Sequence, residues 1–397
     1  MTHDTDIPQG YKATALGVIP QKWEVKFLGD LLSRCTNGLT YDVSITCGIP
    51  VTRIETISTG EINYAKVGYI PNESGYETFR MQKGDILYSH INSLSQIGKV
   101  AYYKGDKEIY HGMNLLLLRA NNCLDKQYLY YTLLTEHMRH MAQIIAKPAV
   151  NQASISTSDL KRVKIAVPPL AEQRKIAEVL GVWDEAIEKQ ARLIEKLALR
   201  KRGLMQRLLS AKLRLPGFSD PWKELKINKI TIIRKGEQVN KDVLFSNAKY
   251  PVINGGITPS GYLDIYNTKA NTITISEGGN SCGYVNFMTT PFWSGGHCYT
   301  IEAKDGINNL CIYQLLKNNE KYIMSLRVGS GLPNIQIKDL GNLKFMIPTY
   351  QEQTAIAEVL TASDREIELA KEKLERLRRQ KRGLMQQLLT GKKRVKY

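Results

Sequence analysis

Glu302-Ala303-Lys304 follows an apolar run, and Asp264 lies upstream of it. Carboxylates beside a lysine are a set that can hold Mg²⁺ and orient water for phosphodiester hydrolysis. The tripeptide is a common one and has no counterpart at the matching place in the first half of the chain, so no nuclease site is expected from it. His137 and His140 are spaced to share a helix face and a metal. No cysteine or carboxylate completes that set, and ordinary histidines are expected there. The six cysteines (35, 47, 123, 282, 298 and 311) show no Cys-x-x-Cys pairing, so neither zinc nor a disulfide framework is indicated. The chain contains no Gly-x-x-x-x-Gly-Lys-Ser/Thr phosphate loop, no Gly-x-Ser-x-Gly and no His-Glu-x-x-His. It also lacks an Asp/Asn-Pro-Pro-Tyr/Phe loop of the kind that holds a base for methylation. Gly329-Ser330-Gly331 wants the third glycine of a dinucleotide fingerprint. A protein with no catalytic site, no metal and no cofactor of its own is expected.

The charge points elsewhere. With 55 Lys and Arg against 38 Asp and Glu, the net charge is +17, and the excess is spread along the chain instead of sitting in a tail. A broad positive field favours a polyanion, because each neutralised phosphate releases counterions. Hydrophobic residues at 43% and charged residues at 23% are those of an ordinary globular protein. No apolar run approaches a membrane span. The polar start Met1-Thr2-His3-Asp4 is unlike a secretory signal, and a reduced, cytoplasmic setting is expected.

The elements that must position any functional groups come in duplicate. Glu172-Gln173 recurs as Glu352-Gln353, Ile176-Ala177-Glu178-Val179-Leu180 as Ile356-Ala357-Glu358-Val359-Leu360, and Lys201-Arg202-Gly203-Leu204-Met205-Gln206 as Lys381-Arg382-Gly383-Leu384-Met385-Gln386. Laid over a 180-residue offset, 168–212 and 348–392 share 22 of 45 positions, and such a repeat decides architecture. Positions 180, 183, 187, 190, 194, 197, 201, 204 and 208 step by three and four and are mostly apolar, as are their counterparts from 360. That is a heptad seam. A helix of about 40 residues is on the order of 60 Å long and cannot bury its stripe alone, so the two copies are expected to pair, antiparallel. Pro168-Pro169 and Pro348 stop the preceding strands and start the helices. Gly203 and Gly383, unfavourable inside a helix, imply close approach of another helix, in this chain or a partner. The tail Lys392-Lys393-Arg394-Val395-Lys396-Tyr397 reads as a solvated end.

The rest is β-rich. Runs such as Ile86-Leu87-Tyr88, Leu115-Leu116-Leu117-Leu118, Thr272-Ile273-Thr274-Ile275-Ser276 and Cys298-Tyr299-Thr300-Ile301 are punctuated by turn residues, with helical patches at 124–145 and 307–325. The predicted architecture is α+β with an internal duplication. Globular domains at 1–166 and 216–347 alternate with long helices at 167–215 and 348–397.

Taken together, the chain resembles the specificity subunits of type I restriction–modification enzymes. The resemblance rests on Gly10-Tyr11-Lys12 and Ile19-Pro20-Gln21-Lys22-Trp23 at the first entry, and on Pro216-Gly217-Phe218 and Trp222 at the second. It rests above all on the paired helix openings Pro168-Pro169-Leu170-Ala171-Glu172-Gln173 and Pro348-Thr349-Tyr350-Gln351-Glu352-Gln353 and the twin Lys-Arg-Gly-Leu-Met-Gln endings. It implies two target-recognition domains, each reading half of a split asymmetric DNA site, with the coiled coil setting the spacer. It further implies docking of methyltransferase subunits and of motor-nuclease subunits, which would use S-adenosylmethionine, ATP and Mg²⁺, while this subunit does no chemistry. Glu172, Gln173, Gly203, Glu352, Gln353 and Gly383 are the expected partner or helix-packing positions. A stand-alone Mg²⁺-dependent nuclease and a non-DNA coiled-coil scaffold are the alternatives.

Within each reader, polar side chains on loops after strands are the candidates to reach base edges in the major groove. In the first domain these are Arg53; His90, Asn92, Ser93, Gln96 and Lys99; and Lys147, Asn151 and Gln152. In the second they are Asn254; Asn280 and Ser281; His297; and Arg327, Ser330 and Asn334. Tyr128, Tyr130 and Tyr131 read as core, not as stacking platforms.

Overall fold

The computed structural model describes residues 7–150, 152–329 and 333–397. They form two compact units, 1–189 with 374–397, and 190–373. Each unit therefore combines a globular domain with part of both long helices.

The first unit centres on a four-stranded antiparallel sheet, Leu32–Asn37, Leu116–Ala120, Ile86–Tyr88 and Val100–Tyr102 in that order. The second unit repeats it with Thr231–Lys235, Cys298–Ala303, Thr272–Ser276 and Val285–Met288. Two inner strands, Leu116–Ala120 and Thr272–Ser276, are apolar or β-branched but for Arg119 and Ser276 and almost wholly buried, as suits strands covered on both faces. Helices pack against each sheet: Lys126–Leu133 and Glu136–Ile145 in the first unit, Asn309–Asn318 and Glu320–Ser325 in the second. Tyr128 and Tyr131 lie in the first core with Tyr130 packed against it.

The two repeats are helices Leu170–Leu208 and Tyr350–Leu388. Their pairing is antiparallel within each unit. In the second, Lys201 meets Asp364 at 2.6 Å, Arg200 meets Glu366, and the buried Gln190 amide donates to the Ala370 carbonyl at 2.9 Å. In the first, Lys381 meets Asp184 at 2.5 Å. Seam residues Leu180, Leu197, Leu208, Leu360, Leu374 and Leu388 are buried, which accounts for the three-four spacing.

The helix openings are anchored from inside. Glu172 is fully buried, accepting the Trp23 indole N–H at 3.1 Å and a bidentate pair from Arg394 at 2.5 and 2.8 Å. In the second unit Glu352 is held the same way by Trp222 at 2.9 Å and Arg214 at 2.6 and 2.8 Å. Gln173 Nε2 donates to Pro168 O at 2.9 Å while its Oε1 accepts Asp125 N at 2.8 Å. Gln353 does likewise with Pro348 O and Asn308 N. These four side chains make their hydrogen bonds within the chain, the helix-packing role of the two that the sequence left open for them.

Two further expectations are narrowed. The basic tail is mostly exposed, as expected of a solvated end, but Arg394 in it seals the first node, and just before it Gly391, at φ +71°, lies so close to Pro20 that a Cβ would sit 2.3 Å from its ring. Gly203 and Gly383 have no atom within 4 Å of where a Cβ would stand, so among the described residues no helix approaches them closely, which leaves the partner alternative of the expectation.

Candidate nucleic-acid interface

In the second unit, the four loops singled out by sequence converge at one end of the sheet. The carbonyl of Gly255 accepts the hydroxyls of Ser276 and Ser281, both at 2.5 Å. Asn254 Oδ1 takes the His297 N–H at 3.0 Å, and Glu277 N donates to His297 O at 2.9 Å. Asn334 bridges to both Gly278 and Val328, while Ile335 N donates to Glu277 O at 2.9 Å. Loops separated by up to 80 residues thus share one face. Its glycines let backbones pass closely: a Cβ on Gly295 would lie 2.6 Å from Asn254 Oδ1.

The first unit does the same. Ile91–Asn92 forms an edge of a three-stranded sheet with Gln152–Ser154 and Lys147–Ala149. Lys99 Nζ donates to Ser58 O at 2.7 Å, tying this loop to the turn that follows Arg53. All three candidate segments therefore meet.

Individual side chains divide into those presented and those spent on the scaffold. Ser93, Lys147, Gln152, Asn280, His297, Arg327 and Asn334 are exposed; Arg53, Asn92, Gln96 and Lys99 are half-buried. Arg53 pairs with Glu55 at 3.4 Å, and Lys147 with Asp159 at 3.5 Å, exposed pairs that DNA phosphates can displace at small cost. Half-buried Asn254, through Oδ1, and Ser281, through its hydroxyl proton, brace loops. His90 is buried, and burial lowers its pKa to about 4, so it is neutral and does not face solvent as a loop residue would. Asn151 and Ser330 lie outside the described residues.

Sequence reasoning missed Lys235 and Tyr299, and it did not single out Glu277 within the candidate loop 276–281. Glu277, 9% exposed, accepts Lys235 Nζ at 2.6 Å and the Tyr299 hydroxyl at 3.0 Å on Oε1. Its Oε2 stands 3.5 Å from His297 Nδ1 without hydrogen-bond geometry. Burial raises the Tyr299 pKa, and its hydrogen bond to Glu277 adds to the shift, so the phenol stays a donor. Lys235 ends a strand directly before Gly236-Glu237; only alignment of the two sheets would have flagged it.

No catalytic set forms at the acid-x-lysine sequence. Glu302 pairs with Arg234 at 2.7 Å, Lys304 donates to the carbonyls of Asn228 and Lys229, and Asp264 accepts Lys249 N. His137 and His140 are exposed. Among the described residues no cluster of three or more His, Cys, Asp or Glu could hold a metal ion, and no helix is long and apolar enough to cross a membrane.

Comparison with known proteins gives a consistent picture. The family model described as "Type I restriction modification DNA specificity domain" matches residues 20–198 and 219–379. A Methanocaldococcus jannaschii chain described as a type I restriction enzyme MjaX specificity subunit is 35% identical over 98% of this chain and 97% of its own length. The MjaVIII specificity subunit of the same organism is 24% identical, covering 95% and 94%. In fold, the chain is similar to the crystal structure of a type I restriction–modification S subunit from M. genitalium. The TM-score is 0.64 at 20% identity, covering 98% of both chains.

Proposed function

The chain belongs to the type I restriction modification DNA specificity family, and from that membership we propose that its two units read the two halves of a split, asymmetric DNA site. The observation that carries this reading is the convergence, in both units, of polar loops from distant parts of the sequence, glycine-rich in the second, onto one end of an equivalent sheet. Lysine and arginine on these loops supply phosphate contacts and Asn, Gln and Ser the base-edge contacts. The chain itself performs no chemistry and carries no cofactor. Methyltransferase subunits supply S-adenosylmethionine and flip the target base; motor-nuclease subunits supply ATP and Mg²⁺ chemistry. With DNA as the target, the setting is cytoplasmic.

The paired helices set the unread spacer, because readers on a rigid element engage DNA at a spacing fixed by its length. The open faces at Gly203 and Gly383 are the places where partner subunits pack. Base-resolved methylation mapping of cells with and without the chain, in the presence of its methyltransferase, tests the reading. A split motif methylated only when the chain is present supports it. An unchanged pattern with an active methyltransferase refutes it. Insertion of one helical turn into both long helices is expected to alter the spacer and leave both half-sites intact.

A further inference from the structure

The registers of the two central sheets align the units residue by residue. In the first, Asn37, Leu116 and Tyr88 lie abreast; in the second, Lys235, Tyr299 and Ile275 do. Two residues beyond Tyr88 is His90, and two beyond Ile275 is Glu277. Two residues before Leu116 is Asn114, and two before Tyr299 is His297. The backbone frame at these places is the same in both units. Ser89 N donates to Lys99 O and Gly98 N to Ser89 O, as Ser276 N does to Tyr284 O and Gly283 N to Ser276 O. Ile155 N donates to His90 O as Ile335 N does to Glu277 O.

Within this repeated frame the side chains are unrelated. Asn37, His90 and Asn114 stand where the second unit has Lys235, Glu277 and His297. Both inner groups are more than nine-tenths buried, and each keeps a polar atom without a hydrogen bond: His90 Nδ1 and Glu277 Oε2. A buried polar atom without a partner is unfavourable in itself, and native proteins keep few of them. The outer groups Lys235 and His297 stay 54% and 63% exposed and both lean on Glu277. Fixed backbone with exchanged polar chemistry is what two readers of different bases require.

We infer that Lys235, Glu277 and His297 form the base-discriminating cluster of the second unit; Asn37, His90 and Asn114 occupy the matching register places in the first. Lys235, a donor only, reads the O6 and N7 acceptors of a guanine in the major groove. Glu277 is a positioning residue: its Oε1 holds the ammonium at 2.6 Å and its Oε2 faces the His297 ring. This deepens, and rests on, the reading of the converging loops as the DNA-facing surface.

The test uses the full chain assembled with its methyltransferase subunits, with methylation mapped at base resolution for the parent, Lys235→Gln, Glu277→Gln and Glu277→Asp. Parent methylation of a split motif establishes the underlying reading; its absence would overturn that reading, and this one with it. Given a parent motif, Lys235→Gln and Glu277→Gln are expected to relax one G·C position of one half-site about tenfold. The other half-site stays unchanged, and Glu277→Asp partly restores the preference. Uniform loss of methylation across sequences, with a DNA-affinity salt slope reduced by about one, would instead make Lys235 a phosphate contact and overturn the proposal. An unchanged motif, or relaxation in both half-sites, overturns it as well. Lys235 is solvent-exposed, so its variant reports even if Glu277→Gln fails to fold.

Discussion

The buried Glu172 and Glu352 nodes allow a quantitative test of how the duplicated frame is held. Replacing Glu172 by Gln removes a carboxylate that is 0% exposed and accepts from Trp23 and, bidentately, from Arg394. Breaking a fully buried ion pair by removing one partner costs about 3–5 kcal/mol. Arg394 is one-third exposed and recovers part of its hydration. Trp23 is wholly buried, but the new amide oxygen can still accept its N–H, so the variant should lose about 2–3 kcal/mol. Glu172→Ala strands the indole as well and should cost roughly 1–2 kcal/mol more. Urea unfolding followed by far-ultraviolet circular dichroism gives the numbers, and a double-mutant cycle of Glu172→Gln with Arg394→Gln isolates the pair. Its coupling is expected at about 1–3 kcal/mol, and the cycle of Glu352 with Arg214 should match it. The crossed cycle, Glu172 with Arg214, joins groups of different units and should be additive within about 0.5 kcal/mol. Coupling below that level in either matched cycle would refute the claim that these carboxylates hold the helix openings.

Other consequences follow from single positions. His90 and His111 are buried and both have pKa values lowered to about 4, chiefly by desolvation. Each is neutral when folded and takes up a proton on unfolding below the usual value of 6.5. Stability is therefore full above about pH 6.5 and falls as the pH drops towards 4, by roughly 2 kcal/mol per histidine at pH 5. Both lie in the first unit, so hydrogen exchange between pH 7 and 5 should soften that unit selectively; equal softening of both would contradict this origin. Gly236→Ala would place a Cβ 2.3 Å from the Gly295 carbonyl oxygen, a backbone clash that should lower stability by about 3 kcal/mol or more and be read as insoluble or thermally weakened protein. Gly203→Ala and Gly383→Ala meet no atom of the described residues within 4 Å. Each should raise the melting temperature of the free chain through a helix-propensity gain of about 1 kcal/mol, while weakening co-purification with the methyltransferase if these faces are where it packs.

Much of the architecture was legible because it rests on periodicity. The 180-residue repeat, the three-four seam and the prolines before each helix are local signals, and the helices Leu170–Leu208 and Tyr350–Leu388 follow from them. Net charge pointed to a polyanion, and the alternation of apolar runs with glycine turns marked the strands that flank the loops. The residues on those loops could be named as polar and turn-bound from sequence. Their division into presented and structural groups could not, because Asn254, Ser281 and His90 differ from Asn280 and His297 only in what folds over them.

Tertiary structure decided the rest. That Glu172 and Glu352 face inward depends on Trp23, Arg394, Trp222 and Arg214 arriving from residues up to 222 positions away, and no local spacing encodes such a meeting. That Lys235, Glu277 and His297 form one cluster depends on strand register, which is set by side-chain packing across the sheet. Short-range order is written in the chain as pattern. The composition of a surface built from distant loops exists only once the core has closed beneath it.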